Sequence, residues 1–382
     1  MKILQISPQV PGKKSGGELG VLQTVLSLKE SGYLIDYIGP EIKDQDVISL
    51  YNECYFLEYT NNVILRMINL LRGITNGRYL SWKELDLDFT KYDVVVLDFT
   101  KLDYIFKKIH SKNVIVKVHN VEYDYAKNDF NKNKGVTKLV IYLLAKKQEA
   151  RVLKNVDAIM TLTENDKMRL LQIYGDGYID KIYLNPVCIN EKKQIVQQKN
   201  EELKMLITGS LWYGDNVNGA IWFIRNVYCK LQFKKKLVIA GARPNPELRK
   251  EVSMHKDIVL VDSPKDISPF FYECDIFIAP VFDGAGMKVK VAEALSYGKP
   301  VIGTSHAFIG YQIRDGYNSF VANKSEEFIN KLTEISKMNQ NEWNDIVEAS
   351  KRLFKENYSI SNSSKQWNEV ITRLLKGKNH VE

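Results

Sequence analysis

Short apolar, strand-like runs alternate with helix-patterned stretches, and the alternation occurs twice along the chain. The first series has runs at Lys2–Ser7, Leu34–Ile38, Val94–Asp98, Val114–His119 and Ala158–Thr161. The second has runs at Met205–Thr208, Leu237–Ala240, Ile258–Val261, Ile276–Ala279 and Val301–Ile302. Strands separated by helices predict parallel sheets in an α/β fold. Helical candidates include Leu19–Ser31, closed by Gly32, and Gly219–Val227. The polar stretch Asn190–Lys204 separates the two series and reads as a linker. The tail, Glu342–Leu375, reads as helical and as packing back on the first unit. The expected architecture is therefore two doubly wound, Rossmann-like domains facing a cleft. Their expected limits are 1–190 and 205–355, with a linker at 191–204 and a returning helix at 356–382. Open α/β sheets bind ligands beyond the carboxyl ends of their strands.

Composition narrows the function classes. A chain of 382 residues has length for about two or three domains. Its 45% hydrophobic and 26% charged residues are ordinary for a globular protein. The net charge of +8 favours phosphates, anionic lipid or nucleic acid, and selects none of them. Cys54, Cys188, Cys229 and Cys274 form no CxxC pair, which argues against a zinc or thiol redox motif. Their spacing gives no disulfide framework and suits a reducing compartment. The run Met1–Ser7 is too short for a signal peptide. The longest lipid-like run, Leu139–Ala145, falls far below the roughly 20 residues of a spanning helix. A cytoplasmic protein is expected, with contact at the inner face of the cell membrane left open.

The richest segment is Phe282-Asp-Gly-Ala-Gly-Met-Lys-Val-Lys-Val-Ala-Glu-Ala-Leu-Ser-Tyr-Gly-Lys-Pro-Val301. Gly284 and Gly286 form a turn, and an apolar-patterned helix follows with Lys288, Lys290 and Glu293 near its start. A helix N-terminus offers N–H groups and the positive end of a dipole, so it attracts phosphate. Lys290 and Glu293 are three apart and share a face. The lysine suits a phosphate and the carboxylate suits sugar hydroxyls, a combination that fits a nucleotide or nucleotide-sugar.

Other segments carry two readings each. Gly16 and Gly17, in the loop Ser7–Glu18, would admit a phosphate or simply allow a flexible turn. No G-x-G-x-x-G is present there. His119 ends a strand, so it either positions a substrate hydroxyl or is a satisfied structural histidine. Asn120 and Glu122 beside it favour the first reading. Gly209-Ser210 is a phosphate-facing turn or a plain one. Asp44-Gln-Asp46 and Asp86-Leu-Asp88 read as solvated acidic loops rather than metal ligands. Asn61–Lys83 and Lys138–Lys147 are basic and amphipathic, so they are core-facing helices with solvated lysines or membrane-docking ones. No G-x-S-x-G, Walker A motif or clustered basic stripe for nucleic acid occurs.

With these motifs the chain resembles the retaining, GT-B fold glycosyltransferases of glycosyltransferase family 4, also called glycosyl transferases group 1. The resemblance covers nearly the whole chain and is most specific over Gly284–Thr304. It implies transfer of a sugar from a nucleotide-diphosphate sugar to a glycan or lipid-linked acceptor, in surface polysaccharide synthesis. It implies that Lys288 and Lys290 hold the donor diphosphate and that Glu293 binds the ribose. Asp283, Gly284, Ala285, Gly286, Met287 and Val289 would line the donor site, with Gly16, Gly17, Gly209 and Ser210 near the phosphates. His119 matches the histidine that contacts the transferred sugar. Many relatives carry an acid where Ala285 stands here, and the nearest acid is Asp283. Two lysines and a helix N-terminus suffice to stabilise the leaving diphosphate, so no metal cofactor is expected. The alternatives are a GT-B epimerase or phosphorylase and a nucleotide-sugar-binding protein without transferase activity.

Overall fold

The computed structural model describes residues 1–13, 15–57, 87–102, 113–193, 201–284 and 286–378, with isolated positions within 62–70 and 105–109. Most of the basic stretch 61–83, Asp86, half of the expected linker 191–204 and Ala285 therefore lie outside the described residues. The chain divides into two compact units: Met1–Val187 with Ile360–Glu382, and Cys188–Ser359.

The first unit is built on a seven-stranded sheet. Its strands are β1 (Lys2–Ile6), β2 (Leu34–Gly39), β3 (Cys54–Phe56), β4 (Val94–Asp98), β5 (Asn113–Val118), β6 (Ala158–Thr161) and β7 (Ile182–Leu184). They are ordered β3-β2-β1-β4-β5-β6-β7, and each pairing is parallel. The order reverses between β1 and β4, the switch point at which such sheets open a crevice. Every residue of β4 and β5 is buried, as expected of a sheet covered on both faces.

The first helix, Gly16–Glu30, starts three residues earlier than the expected Leu19. Ser15 caps it by accepting a hydrogen bond from the Glu18 amide at 3.2 Å. Gly16 and Gly17 thus stand in the first turn of a helix, not in a loop as expected. The spacing of Ser15 and Glu18, N-cap and third helical position, is the local signal for this start.

The second unit has a six-stranded parallel sheet: β8 (Leu203–Ser210), β9 (Lys235–Ala242), β10 (Ile258–Asp262), β11 (Ile276–Ala279), β12 (Val301–Gly303) and β13 (Phe320–Val321). Its order is β10-β9-β8-β11-β12-β13. Again the order reverses at its first strand, between β8 and β11. β3, β7 and β13 have only two or three residues each, too few for a readable pattern.

The expected tail helix Glu342–Leu375 is two helices, Gln340–Asn357 and Ile360–Lys378. Ser359 breaks the run by bridging to Ile189. Tyr358 anchors the break: it is buried, and its hydroxyl accepts from the Gln312 amide at 2.7 Å. The second of these helices belongs to the first unit. Trp367, Val370 and Ile371 enter one apolar cluster with Ile3, Val25, Tyr37 and Ile115. Ser363 adds hydrogen bonds with Ser27 at 2.8 Å and Asn185 at 2.9 Å.

Trp367 is fully buried in that cluster. Trp367→Ala should destabilise the first unit by about 3–5 kcal/mol. Urea unfolding followed by circular dichroism measures this. A loss below about 1 kcal/mol would mean that the helix contributes little to the unit.

Candidate functional site

In the second unit, the strand β11 delivers the chain to the turn that precedes the helix Val289–Ser296. Gly284 and Gly286 both adopt positive φ, 100° and 70°. Residues with a Cβ resist that region, so the two glycines permit the turn. His306 braces it, with Nε2 2.8 Å from the Gly284 carbonyl. Lys288 is the helix N-cap residue, and its Nζ donates to the same carbonyl at 2.6 Å. The Val291 amide donates to the Lys288 carbonyl at 2.8 Å, and the Ala292 amide to the Tyr311 hydroxyl at 3.2 Å. Among the described residues, the amides of Val289 and Lys290 in the same turn donate to no protein acceptor.

Lys290 lies within this first turn. Its Nζ donates to Asn216 Oδ1 at 2.7 Å, and Asn216 Nδ2 donates to the Ser210 carbonyl at 3.1 Å. The end of β8, the start of the helix Gly214–Asn226 and the start of the helix Val289–Ser296 are thereby tied together. Burial pushes the Lys290 pKa down to about 8, and the neighbouring Lys288 adds to the fall. Asp215 pulls the other way. Burial lowers the pKa of Lys288 as well, against the pull of Asp215 and Asp283. Glu293 is half-buried, and burial raises its pKa against the pull of Lys192.

The expected site residues of this unit fall as follows. Gly209 and Ser210 are the last residues of β8 rather than a turn beyond it. They stay in the ladder because they pair with Gly241 and Ala242. Gly284, Gly286, Met287, Lys288, Val289 and Lys290 are contiguous around the turn, and Met287 is buried. Asp283 is exposed, and its Oδ1 accepts from the Gly284 amide at 2.6 Å. Asn216 and Asp215 have no sequence motif that marks them. Asp215 Oδ2 is a buried atom with no hydrogen-bond partner among the described residues. It lies 3.5 Å from the point where a Cβ on Gly284 would stand, and Lys288 Nζ lies 3.3 Å from that same point. An unpaired buried carboxylate oxygen beside two ammonium groups is a ready acceptor for a ligand hydroxyl.

In the first unit, His119 follows β5 and is 6% exposed. Its Nε2 lies 2.9 Å from Asp98 Oδ1 at the end of β4. Asp98 is fully buried and also accepts from Thr24 Oγ1 at 3.0 Å and Gln5 Nε2 at 2.6 Å. A carboxylate accepts, so the imidazole hydrogen sits on Nε2 and Nδ1 keeps its lone pair. Burial lowers the His119 pKa, opposed by Asp98, which keeps the ring neutral near pH 7. A Cβ on Gly20 would come 2.4 Å from Nδ1. Gly20 therefore leaves the room in which the ring packs against the first helix, a role the sequence reading missed. Gly17 packs on Gln9 in the same helix turn, and Gly16 has open space where a side chain would be.

The residues beside His119 are structural in part. Glu122 pairs with Lys101 at 2.9 Å. Glu149 accepts the amides of Glu122 and Tyr123 at 2.9 and 3.2 Å, and so caps the helix Glu122–Lys132. Asp44 and Asp88 cap a short helix each, as their loop positions suggest. Among the described residues, no group of three or more His, Cys, Asp or Glu side chains is placed to hold a metal ion.

These features define a class. Two parallel-sheet Rossmann-like units with a lysine-lined helix N-terminus at the second switch point are the GT-B plan of glycosyltransferases. Residues 202–337, which lie within the second unit, match the family model of the Glycosyl transferases group 1. A protein of Klebsiella pneumoniae, known as an uncharacterized 44.6 kDa protein in the cps region, is 25% identical over 365 residues. The match covers 88% of this chain and 91% of that protein. A glycosyltransferase from Rickettsia africae has the same fold, with a TM-score of 0.70 at 15% identity, over 98% of both chains. The Anabaena protein HepE, solved in complex with UDP, aligns with a TM-score of 0.63 at 12% identity, over 98% of this chain and 100% of that one.

Because Lys290 loses its proton around pH 8 in the free protein, anion binding should fade as the pH rises through that value. Titration calorimetry with pyrophosphate should show affinity falling between about pH 7 and pH 9. Lys290→Met should weaken binding about tenfold at neutral pH and flatten the profile. An identical profile in the variant would exclude Lys290 as the titrating group.

Proposed function

We propose that this chain transfers a sugar from a nucleoside-diphosphate sugar to a glycan or lipid-linked acceptor, with retention of anomeric configuration. The observation that carries the proposal is the half-buried Lys290 ammonium, held by Asn216 at the first turn of the helix Val289–Ser296. The Klebsiella relative from a cps region supports a role in surface polysaccharide assembly. The UDP bound by the Anabaena neighbour makes UDP-sugars the first donors to try. Four cysteines without a disulfide fit a reducing, cytoplasmic setting.

The chemistry follows from charge. As the glycosidic bond to the diphosphate breaks, negative charge grows on the leaving phosphate oxygen. Lys288, Lys290 and the Val289 and Lys290 amides meet that charge more strongly in the transition state than in the ground state. These cations do the work that a divalent metal does elsewhere, so transfer should survive EDTA. Glu293 takes the ribose hydroxyls. Asp215, rather than the solvent-facing Asp283, offers its unpaired Oδ2 to a donor hydroxyl. His119, neutral and fixed by Asp98, accepts a hydroxyl of the transferred sugar at Nδ1.

The test is release of nucleoside diphosphate from a panel of nucleotide sugars, with and without acceptor glycans. Acceptor-dependent release is expected, and the product's anomeric proton coupling should report retention. Lys290→Ala and Glu293→Ala should each lower kcat/KM by about 10²–10³ while leaving the thermal midpoint in place. Gly20→Ala should act like a loss of His119, raising KM or lowering kcat because the added methyl displaces the ring. Full activity in the Lys290 and Glu293 variants, or release without acceptor, would end the transferase reading.

A further inference from the structure

We infer that the first unit docks on an anionic lipid surface through the exposed face of the helix Val136–Asn155. The helix is apolar in its first half, yet residues 136–144 include none that is buried. Its buried residues begin only at Ala145, the tenth of its 20, and run to Leu153. The first half therefore extends beyond the core with apolar side chains to spare. Val136 is 80% exposed, Leu139 37% and Leu143 60%. Spacings of three and four residues put them in one row along the helix. Lys146 and Lys147 extend the same row by three and four residues, and both are exposed.

Charge decides the occupant. Between Tyr125 and Lys147 there are six lysines and one acid, Asp129. Asp129 is itself engaged by Lys138. Lys132 and Lys134 stand exposed just before the helix, so lysines flank the apolar row at both ends. Tyr125, 49% exposed on the preceding helix, adds an amphipathic ring. An apolar stripe between cationic ends matches acyl chains below a layer of phosphate headgroups. A second copy of the same face would bring the lysines together, and like charges oppose that pairing. Among the described residues, no helix is long and apolar enough to cross a membrane, so the contact is with the surface of the bilayer.

This inference does not depend on the transferase reading, and its test needs no sugar. The full chain is sedimented with phosphatidylcholine vesicles, with and without phosphatidylglycerol, at low and high salt. Binding is expected only with phosphatidylglycerol, and it should weaken as salt rises. Lys146→Gln with Lys147→Gln should weaken it about twenty-five-fold, at about fivefold per lysine. Leu139→Ser with Leu143→Ser should abolish it. Neither pair of changes touches a buried side chain, and circular dichroism should show both variants folded. Absence of vesicle binding by the native chain would overturn the inference, as would undiminished binding by either double variant. A concentration-dependent dimer, lost in the double-serine variant, would overturn it in favour of a second copy.

Discussion

An ammonium group drawn partly out of water seeks negative charge, and Lys290 is given an amide oxygen instead. Asn216 orients the ammonium without neutralising it. Lys288 stands close enough to depress its pKa further, and Asp215 offsets only part of the cost. The second unit thus holds a local electrostatic deficit at the start of one helix. A bound dianion would relieve it. The rest of the site serves that arrangement. The two positive-φ glycines let the chain turn into the helix, His306 holds the turn, and β8 ends where Asn216 can reach both sides.

The first unit solves a different problem with the same economy. His119 would be free to flip and to titrate if it were exposed. Instead Asp98 fixes its tautomer, and Thr24 and Gln5 saturate the carboxylate so that it has one geometry. Phe99, at φ 72°, takes a left-handed conformation immediately after Asp98, and its ring lies 4.3 Å from the imidazole. Backbone strain of this kind persists where surrounding packing over-determines it. Here that packing is the histidine and its carboxylate.

Much of the fold was legible because most strands are short runs dominated by apolar residues. β1, β2, β4, β5, β6, β8, β9, β10, β11 and β12 each fall on an apolar run expected from the sequence. What failed was short or capped. The two- and three-residue strands carry too few residues for a period to register. The helix from Gly16 begins with glycines that lower helix propensity, so the Ser15 cap and tertiary packing decide its start. The tail helix splits because Ser359 is claimed by a partner far away in sequence, Ile189. In the site, the glycine turn, both lysines and Glu293 were legible from one continuous segment. Asn216, Asp215 and Gly20 were not, since each matters only through a neighbour brought near by folding.

The account rests on Lys290 being an under-neutralised ammonium that waits for a diphosphate. Its side-chain pKa can be followed by NMR in protein carrying labelled lysine, with Lys290→Met giving the assignment. In the free protein the group should titrate near 8, and saturation with UDP should lift it to about 10 or above. A Lys290 that titrates at the same pH with and without bound UDP would contradict the account.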